Sequence, residues 1–213
     1  MQKKNKDCEK IGTFAMDETQ YLRLRQKYGE YSSWAIWNHE DEADPNIIES
    51  HIEELNAKHV FIAYNASGDY VREAPWANFR GRKHDRKLKF ACNDTALRGS
   101  YLTYLFKDIK AVNSKNVRNY LTPEVVTENV SLFLEEISDI GTTKKTVYVI
   151  LGVRNSEVGK QFRAHFLDKW GGVHVKYYTH YSNYSLTDEK WVTGLWKKLG
   201  IKANYETIRQ KYK

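Results

Sequence analysis

The chain has 213 residues, a length that fits one domain with a sizeable hydrophobic core. Its formal net charge of +7 favours an anionic partner such as nucleic acid, although a solvated basic surface would give the same balance. Two cysteines, Cys8 and Cys92, exclude a disulfide framework and a four-thiolate cluster. No apolar run is long enough to span a bilayer and no secretory signal is visible, so we expect a cytoplasmic protein without membrane contact.

The first sixty residues predict two helices. A capping box and a glycine stop delimit the first of them, between positions 17 and 29. Residues 31–37 are aromatic and carry no helix start. Asp44 and Pro45 open the second helix, because Asp is a favoured N-cap and Pro suits the first helical turn.

Four segments predict strands, at residues 59–64, 100–106, 145–151 and 173–179, and we expect the first two of them to be buried. Helices are predicted between and after them, at residues 85–94, 122–141, 155–170, 187–199 and 203–212. Such alternation implies right-handed crossovers. It predicts an α/β protein, a three-layer α/β/α sandwich with a central four-stranded, mostly parallel sheet. We expect a single domain over residues 1–213, with residues 1–12 flexible.

Polar residues follow the first and the last predicted strands. Asn65 ends the first strand, and a side chain in that position points into the crevice where open α/β sheets bind ligands. His180 follows the last strand and should reach the same edge of the sheet. Each also has a structural interpretation, because Asn65 can cap a turn and His180 can be a loop histidine bonded to backbone.

A long loop at about residues 69–84 combines aromatic and basic side chains. Trp76 and Phe79 precede a cationic cluster, and His84 lies in the same loop; the cluster comprises Arg80, Arg82, Lys83, Arg86 and Lys87. Basic groups interleaved with aromatic rings can hold phosphates while a ring stacks on a base. An exposed basic loop with two aromatic rings folded onto the core is the alternative.

The signatures of cofactor-dependent and metal-dependent enzymes are missing from the sequence. It contains no Gly-x-Gly-x-x-Gly after the first strand, no P-loop and no Gly-x-Ser-x-Gly. It also contains no His-Glu-x-x-His and no paired-cysteine zinc pattern. We therefore expect neither a cofactor nor a metal.

Two short segments at the ends of the first and last strands carry a family resemblance. Residues 63–67 read Ala-Tyr-Asn-Ala-Ser, and residues 180–185 read His-Tyr-Ser-Asn-Tyr-Ser. They resemble two motifs of the uracil-DNA glycosylase superfamily. In its mismatch-specific uracil/thymine branch the first is Gly-x-Asn-Pro-Gly or Gly-x-Asn-Pro-Ser, and the second is His-Pro-Ser-Pro-Leu-Ser. The order, the spacing and the strand alternation over roughly residues 55–200 also look like that superfamily.

The resemblance implies a DNA glycosylase, which flips a damaged, mismatched or modified base out of DNA and hydrolyses its N-glycosidic bond. In that role Asn65 would orient the attacking water, and His180 would donate to a carbonyl oxygen of the base. Tyr64, Phe79 and Thr103 would bind the base. Thr103 is also open to interpretation as an ordinary strand residue. DNA repair is the setting that this activity implies, with removal of modified bases from foreign DNA as an alternative.

The resemblance and the basic loop together predict a DNA-binding surface. Hydroxyl groups near the two motifs would hydrogen-bond to phosphates. Tyr184 would insert into the base stack at the place that the flipped base has left. The residues predicted to contact DNA are Ser67, Arg80, Arg82, Lys83, His84, Arg86, Ser182, Tyr184 and Ser185. The expected partner is DNA, as a duplex with a flipped base or as a single strand, bound by a monomer.

The chain departs from the motifs at several positions. Ala66 and Tyr181 replace prolines, Tyr64 replaces a glycine, and Asn65 stands where the most active branch has an aspartate. These departures favour a second hypothesis, a non-catalytic nucleic-acid-binding module on the same fold. The retained Asn and His favour the enzyme. A nucleoside hydrolase acting on small molecules is a third possibility, and it predicts no salt-dependent affinity for DNA.

Overall fold

The computed structural model describes residues 16–66, 74–107, 109, 111, 116–167 and 173–212. The predicted flexible segment, residues 1–12, lies outside the described residues, and so does Ser67. The strands are β1 (Ser33–Trp34), β2 (His59–Asn65), β3 (Tyr101–Phe106), β4 (Val147–Leu151) and β5 (His174–Tyr178). The α-helices are α1 (Glu18–Tyr28), α2 (Arg86–Cys92), α3 (Pro123–Asp139), α4 (Glu157–His165), α5 (Asp188–Leu199) and α6 (Tyr205–Lys211). Two 3₁₀ segments cover Asn46–Glu54 and Asn116–Tyr120.

The strands form one sheet in the order β1-β3-β2-β4-β5. Strands β2 to β5 pair in parallel, while β1 pairs antiparallel with β3 at the edge. The predicted α/β class and mostly parallel sheet are confirmed, but the predicted number of four strands is wrong. The fifth strand, β1, has two residues, which is too short for a period-2 pattern to reveal it.

Helices cover both faces of the sheet. In β2, Val60 and Ile62 contact a core shared with α1, α3 and α4, whereas Phe61 and Ala63 contact a second core shared with α2, α5 and α6. This alternation follows from the strand period of two residues. The central strands are therefore buried on both sides, which explains their continuous apolar sequence.

Side-chain caps set most of the helix boundaries. The predicted starts at Asp17, Thr122 and Thr187 are confirmed, since each side chain accepts a hydrogen bond from the backbone N–H three residues later. Gly200 ends α5 in the left-handed conformation, with φ +72°. Helix α4 begins after Ser156 instead of the predicted Asn155, because the Ser156 hydroxyl is the cap that accepts from a backbone N–H.

Arg80, predicted to contact DNA, instead holds the edge strand. Its guanidinium donates to the carbonyl oxygens of Trp34 at 2.9 Å, Ile36 at 2.6 Å and Trp76 at 3.1 Å. Burial lowers the pKa of Arg80 to about 10, so the group still carries its charge at neutral pH. The side chain is 4% exposed, which leaves it unable to reach a phosphate.

Candidate functional site

A cavity of about 450 Å³ lies at the carboxyl edge of the parallel strands. This volume falls in the range of roughly 300–1,000 Å³ that is usual for small-molecule sites. The ends of β2, β3 and β4, the start of α4 and the segment after β5 all contribute to it. The lining residues are Tyr64, Asn65, Arg82, His84, Asp85, Tyr104, Leu151, Gly152, Ser156, Glu157, Val158, His180, Tyr181 and Ser182.

Asn65 and His180 therefore line the same cavity, although they are far apart in the chain. The topology explains this, because parallel strands direct their carboxyl ends to one edge of the sheet. Asn65 is the last residue of β2, and His180 follows β5 two residues after that strand ends. Tyr64 also lines the cavity, and its ring packs edge-on against Phe106 at 5.6 Å.

The amide of Asn65 is held in one orientation. Its Nδ2 donates to the carbonyl oxygens of Ala66 at 3.1 Å, Ile109 at 2.9 Å and Ala111 at 2.9 Å. Only the nitrogen of an amide can donate, so these three acceptors identify which end of the side chain they contact. The oxygen, Oδ1, is then the end suited to accept a hydrogen bond from a ligand in the cavity.

His180 is fixed as a neutral ring with its proton on Nε2. The backbone N–H of Ser182 lies 3.1 Å from Nδ1, and the Ser182 hydroxyl oxygen lies 2.8 Å from it. A backbone N–H can only donate, so Nδ1 must be the unprotonated acceptor. Burial lowers the pKa of His180 to about 4, with smaller contributions from His84 and Lys87. At neutral pH the ring is thus an uncharged N–H donor.

We expect His180 to titrate near pH 4, well below the ordinary value of about 6.5. Because the folded-state pKa is lowered, the unfolded chain takes up the proton first as the pH falls. The free energy of unfolding should therefore fall between about pH 6.5 and pH 4, and should be insensitive to this group above pH 6.5. Burial also lowers the pKa of His59, which contributes in the same direction.

The measurement is a pH titration of the histidine ring signals by NMR, with a His180→Gln variant to assign the resonance. Urea unfolding at pH 7 and pH 5 then tests the stability slope, which should be smaller in His180→Gln. A His180 midpoint near pH 6.5 would contradict the neutral ring.

Apart from the buried Arg80, the basic residues predicted to contact DNA line two neighbouring cavities. Arg82 and His84 line the cavity that holds Asn65. Lys83, His84 and Arg86 line a second one of about 510 Å³, together with Tyr184. His84 thus borders both cavities. Arg86 is engaged in an ion pair with Asp188, with 2.5 Å between Nε and Oδ2.

The serines and the tyrosine that were predicted to contact DNA also lie in different places relative to the Asn65 cavity. Ser182 lines the Asn65 cavity, where it bonds the His180 ring. Ser185 is not among the lining residues, and its backbone N–H and hydroxyl both donate to Asn183 Oδ1, at 2.9 and 2.7 Å. Tyr184 is 91% exposed, so its ring is presented to solvent next to the site.

Two predicted base-binding residues do not reach the cavity. Phe79 is buried and stacks on Tyr104 with ring centroids 4.7 Å apart, so Tyr104 is the ring that lines the site. Thr103 is fully buried on the opposite face of the sheet, where its hydroxyl donates to Glu136 Oε1 at 2.9 Å. Because adjacent strand residues point to opposite faces, Thr103 and Tyr104 cannot share one role.

Sequence reasoning missed several residues that shape the cavity. Asp85 is a buried carboxylate on its wall, and Asp85 Oδ2 accepts from the backbone N–H of Arg82 at 3.1 Å. Glu157 also lines the wall, and its bonds to Arg118 hold its pKa below the ordinary value. A Cβ at Gly152 would lie 2.3 Å from Val158 Cγ1 and 2.6 Å from the Ser156 hydroxyl, so a larger residue there would displace those side chains. No motif marks these residues, although the glycine after an apolar run was a usable signal.

The fold and the cavity together define an α/β protein with a ligand-sized site at the carboxyl edge of its sheet. Comparisons with models of known families, with curated proteins and with solved structures gave no match to the chain. Within the described part of the chain, no helix combines the length and apolarity that crossing a membrane requires. Among the same residues, no group of three or more His, Cys, Asp or Glu side chains is placed to hold a metal ion.

Proposed function

We propose that this protein is a DNA glycosylase of the uracil-DNA glycosylase type, which hydrolyses the bond between a flipped base and its deoxyribose. The observation that carries the proposal is the meeting of Asn65 and His180 in one cavity of ligand size. Both residues come from segments that resemble the two motifs of that superfamily. The excess of positive charge on the chain supports a nucleic-acid partner.

The chemistry of base release matches the groups that these two residues present. Cleavage leaves negative charge on the departing base and positive charge on the sugar. A neutral His180 with its proton on Nε2 would donate to the base oxygen on which negative charge develops. The Asn65 oxygen would accept from the attacking water and orient it, because the amide nitrogen is already held by backbone carbonyls.

The remaining walls of the cavity suit a planar, partly polar ligand. Tyr104 supplies an aromatic surface, and Phe79 supports that ring from behind. Arg82 brings positive charge to the wall of the cavity, where it would pair with a phosphate of a bound strand. Base flipping delivers the ligand, since the target atom inside a stacked duplex is out of reach.

The test uses duplex and single-stranded oligonucleotides that carry uracil, mismatched thymine or a modified cytosine. Incubation with the protein followed by alkali should cleave at least one strand at the base position. Asn65→Ala should lower the rate of release by about 100-fold, because the water loses its orienting acceptor. Asn46→Ala is a matched control, since Asn46 is exposed and does not line the cavity.

Two outcomes would contradict this proposal. Tight, salt-sensitive DNA binding with no release from any substrate would establish the non-catalytic module in its place. A rate of base release that is unchanged in Asn65→Ala would show that the reaction does not take place in the Asn65 cavity.

A further inference from the structure

The segment at residues 180–186, which carries His180, rests on a buried ammonium group. Lys87 on α2 is 1% exposed. Its Nζ donates to the carbonyl oxygens of Asn183 at 2.8 Å and Leu186 at 2.9 Å. Burying an ammonium group is costly unless strong hydrogen bonds offset the loss of water, and these two bonds go to one short segment.

Most of the other described hydrogen bonds in the 180–186 segment are internal to it. The backbone N–H of Asn183 donates to the His180 carbonyl at 3.0 Å, and Asn183 Oδ1 accepts from Ser185. The backbone N–H of Ser182 donates to the His180 ring. Such bonds shape the segment locally, but they do not fix it to the rest of the molecule.

The two ends of the segment are anchored differently. Trp191 Nε1 donates to the carbonyl oxygen of Thr179 at 2.7 Å, just before His180, and the Tyr181 ring packs in the core. From Asn183 to Leu186, the described hydrogen bonds to another element come from Lys87. Leu186 also packs against that core, so Lys87 supplies the described polar contacts on the far side of the turn that places Ser182 beside the ring.

We propose that Lys87 is a positioning residue, whose buried ammonium group fixes the 180–186 segment so that Ser182 holds the His180 ring with its proton on Nε2. Lys87 lines the second cavity and not the one that holds Asn65, so it orients the ring through the segment, beside the small direct effect of its charge on the pKa of His180. The expected effect on base release rests on the proposed function, whereas the state of the His180 ring can be measured without any substrate.

The experiment compares Lys87→Met with wild type by ¹⁵N NMR of the histidine rings near pH 7. In the wild type we expect a protonated Nε2 and an unprotonated Nδ1 for His180. In Lys87→Met the two nitrogen signals should move toward each other, as the segment loosens and the ring exchanges between its two neutral forms. Lys87→Arg, which keeps a cationic donor, should restore signals close to the wild type.

Lys89→Met is the matched control. Lys89 lies on the same helix, is also 1% exposed and pairs with Glu42 at 2.7 Å, away from the 180–186 segment. Lys89→Met should leave the His180 signals unchanged. The comparison separates the general effect of losing a buried ammonium group from the loss of the contact between Lys87 and the 180–186 segment. If Lys87→Met does not fold, Lys87→Gln, with a neutral donor, is examined in the same way.

On the best substrate, Lys87→Met should release base about 10- to 100-fold more slowly, because misplaced catalytic groups lose rate steeply. Unchanged His180 signals in a folded Lys87→Met or Lys87→Gln protein would overturn the proposal, even if base release is real. Altered signals in a protein that releases no base would support Lys87 and reject the glycosylase instead.

Discussion

Replacing Glu136 with Ala is expected to lower the free energy of unfolding by about 3–5 kcal/mol, the usual cost of breaking a buried ion pair. Glu136 on α3 is fully buried beneath the sheet. Its carboxylate accepts from Tyr101 at 2.7 Å and Thr103 at 2.9 Å, and pairs with Lys107 Nζ at 2.7 Å. Removing it leaves the Lys107 ammonium group, 2% exposed, without its counter-charge.

The size of this effect follows from how little stability a domain has in total, about 5–15 kcal/mol. Burial and the Glu136 carboxylate raise the pKa of Tyr101 well above its ordinary value, so Tyr101 stays a neutral donor over the accessible pH range. Lys107 also donates to the carbonyl oxygen of Tyr104 at 3.0 Å. The network therefore supports β3 at the point where Tyr104 enters the cavity.

Urea unfolding measures the effect, and Glu135→Ala is the control on the same helix. Glu135 pairs with Lys27 at an exposed position, and such surface pairs contribute about 0–1 kcal/mol. The double variant Glu136→Leu with Lys107→Met should recover much of the loss, since it removes both buried charges together. A loss below about 1 kcal/mol in Glu136→Ala would show that the network does not stabilise the fold.

The sequence predicted those features that depend on periodicity and capping. Apolar runs identified β2, β3 and β4, and the caps at Asp17, Thr122 and Thr187 fixed helix starts. The meeting of Asn65 and His180 followed from topology, because parallel strands bring their carboxyl ends to one edge whatever their side chains are. This part of the site needed no knowledge of packing.

Features that depend on which face a residue occupies were harder to predict. A strand buried on both sides gives no polar–apolar alternation, so nothing in the sequence distinguished Thr103 from Tyr104. The pairing register of the strands decides which face each residue occupies. Tyr104 is paired with Ala63 and shares its core, while Thr103 faces Glu136. The carboxylate that accepts from Thr103 lies on a helix 33 positions further along the chain, beyond the reach of local patterns.

Loop side chains escaped prediction for a different reason. Phe79 and Trp76 have positive φ angles, +62° and +65°, which turn the basic loop inward and bury Phe79 and Arg80. Non-glycine residues adopt such angles rarely, and no sequence pattern announces them. The basic cluster of the sequence therefore has several structural roles. Arg80 is buried against the edge strand, Lys87 is buried and hydrogen-bonds to the 180–186 segment, and the other basic residues line the two cavities.

Under the proposed glycosylase function, replacing His180 with Ala should slow base release by about 100- to 1,000-fold, the usual cost of losing one donor to a developing negative charge. His180→Gln should be less impaired than His180→Ala, because an amide N–H can also donate. The effect should appear in single-turnover rates with saturating protein, while the affinity for the DNA changes little. His174→Ala is the control, since His174 is exposed at the start of β5, at the opposite end of that strand.

The rate of base release at acidic pH tests whether His180 donates as a neutral ring. His180 is uncharged at neutral pH because burial lowers its pKa to about 4, and the Ser182 N–H occupies Nδ1. Protonation of Nδ1 would break that bond and turn the ring away from its working position, so we expect wild-type release to be constant from pH 8 to about pH 5 and to fall below it. A rate that instead rises as the pH drops through 6.5 would mean that the imidazolium is the active form, and the neutral-donor mechanism would be wrong.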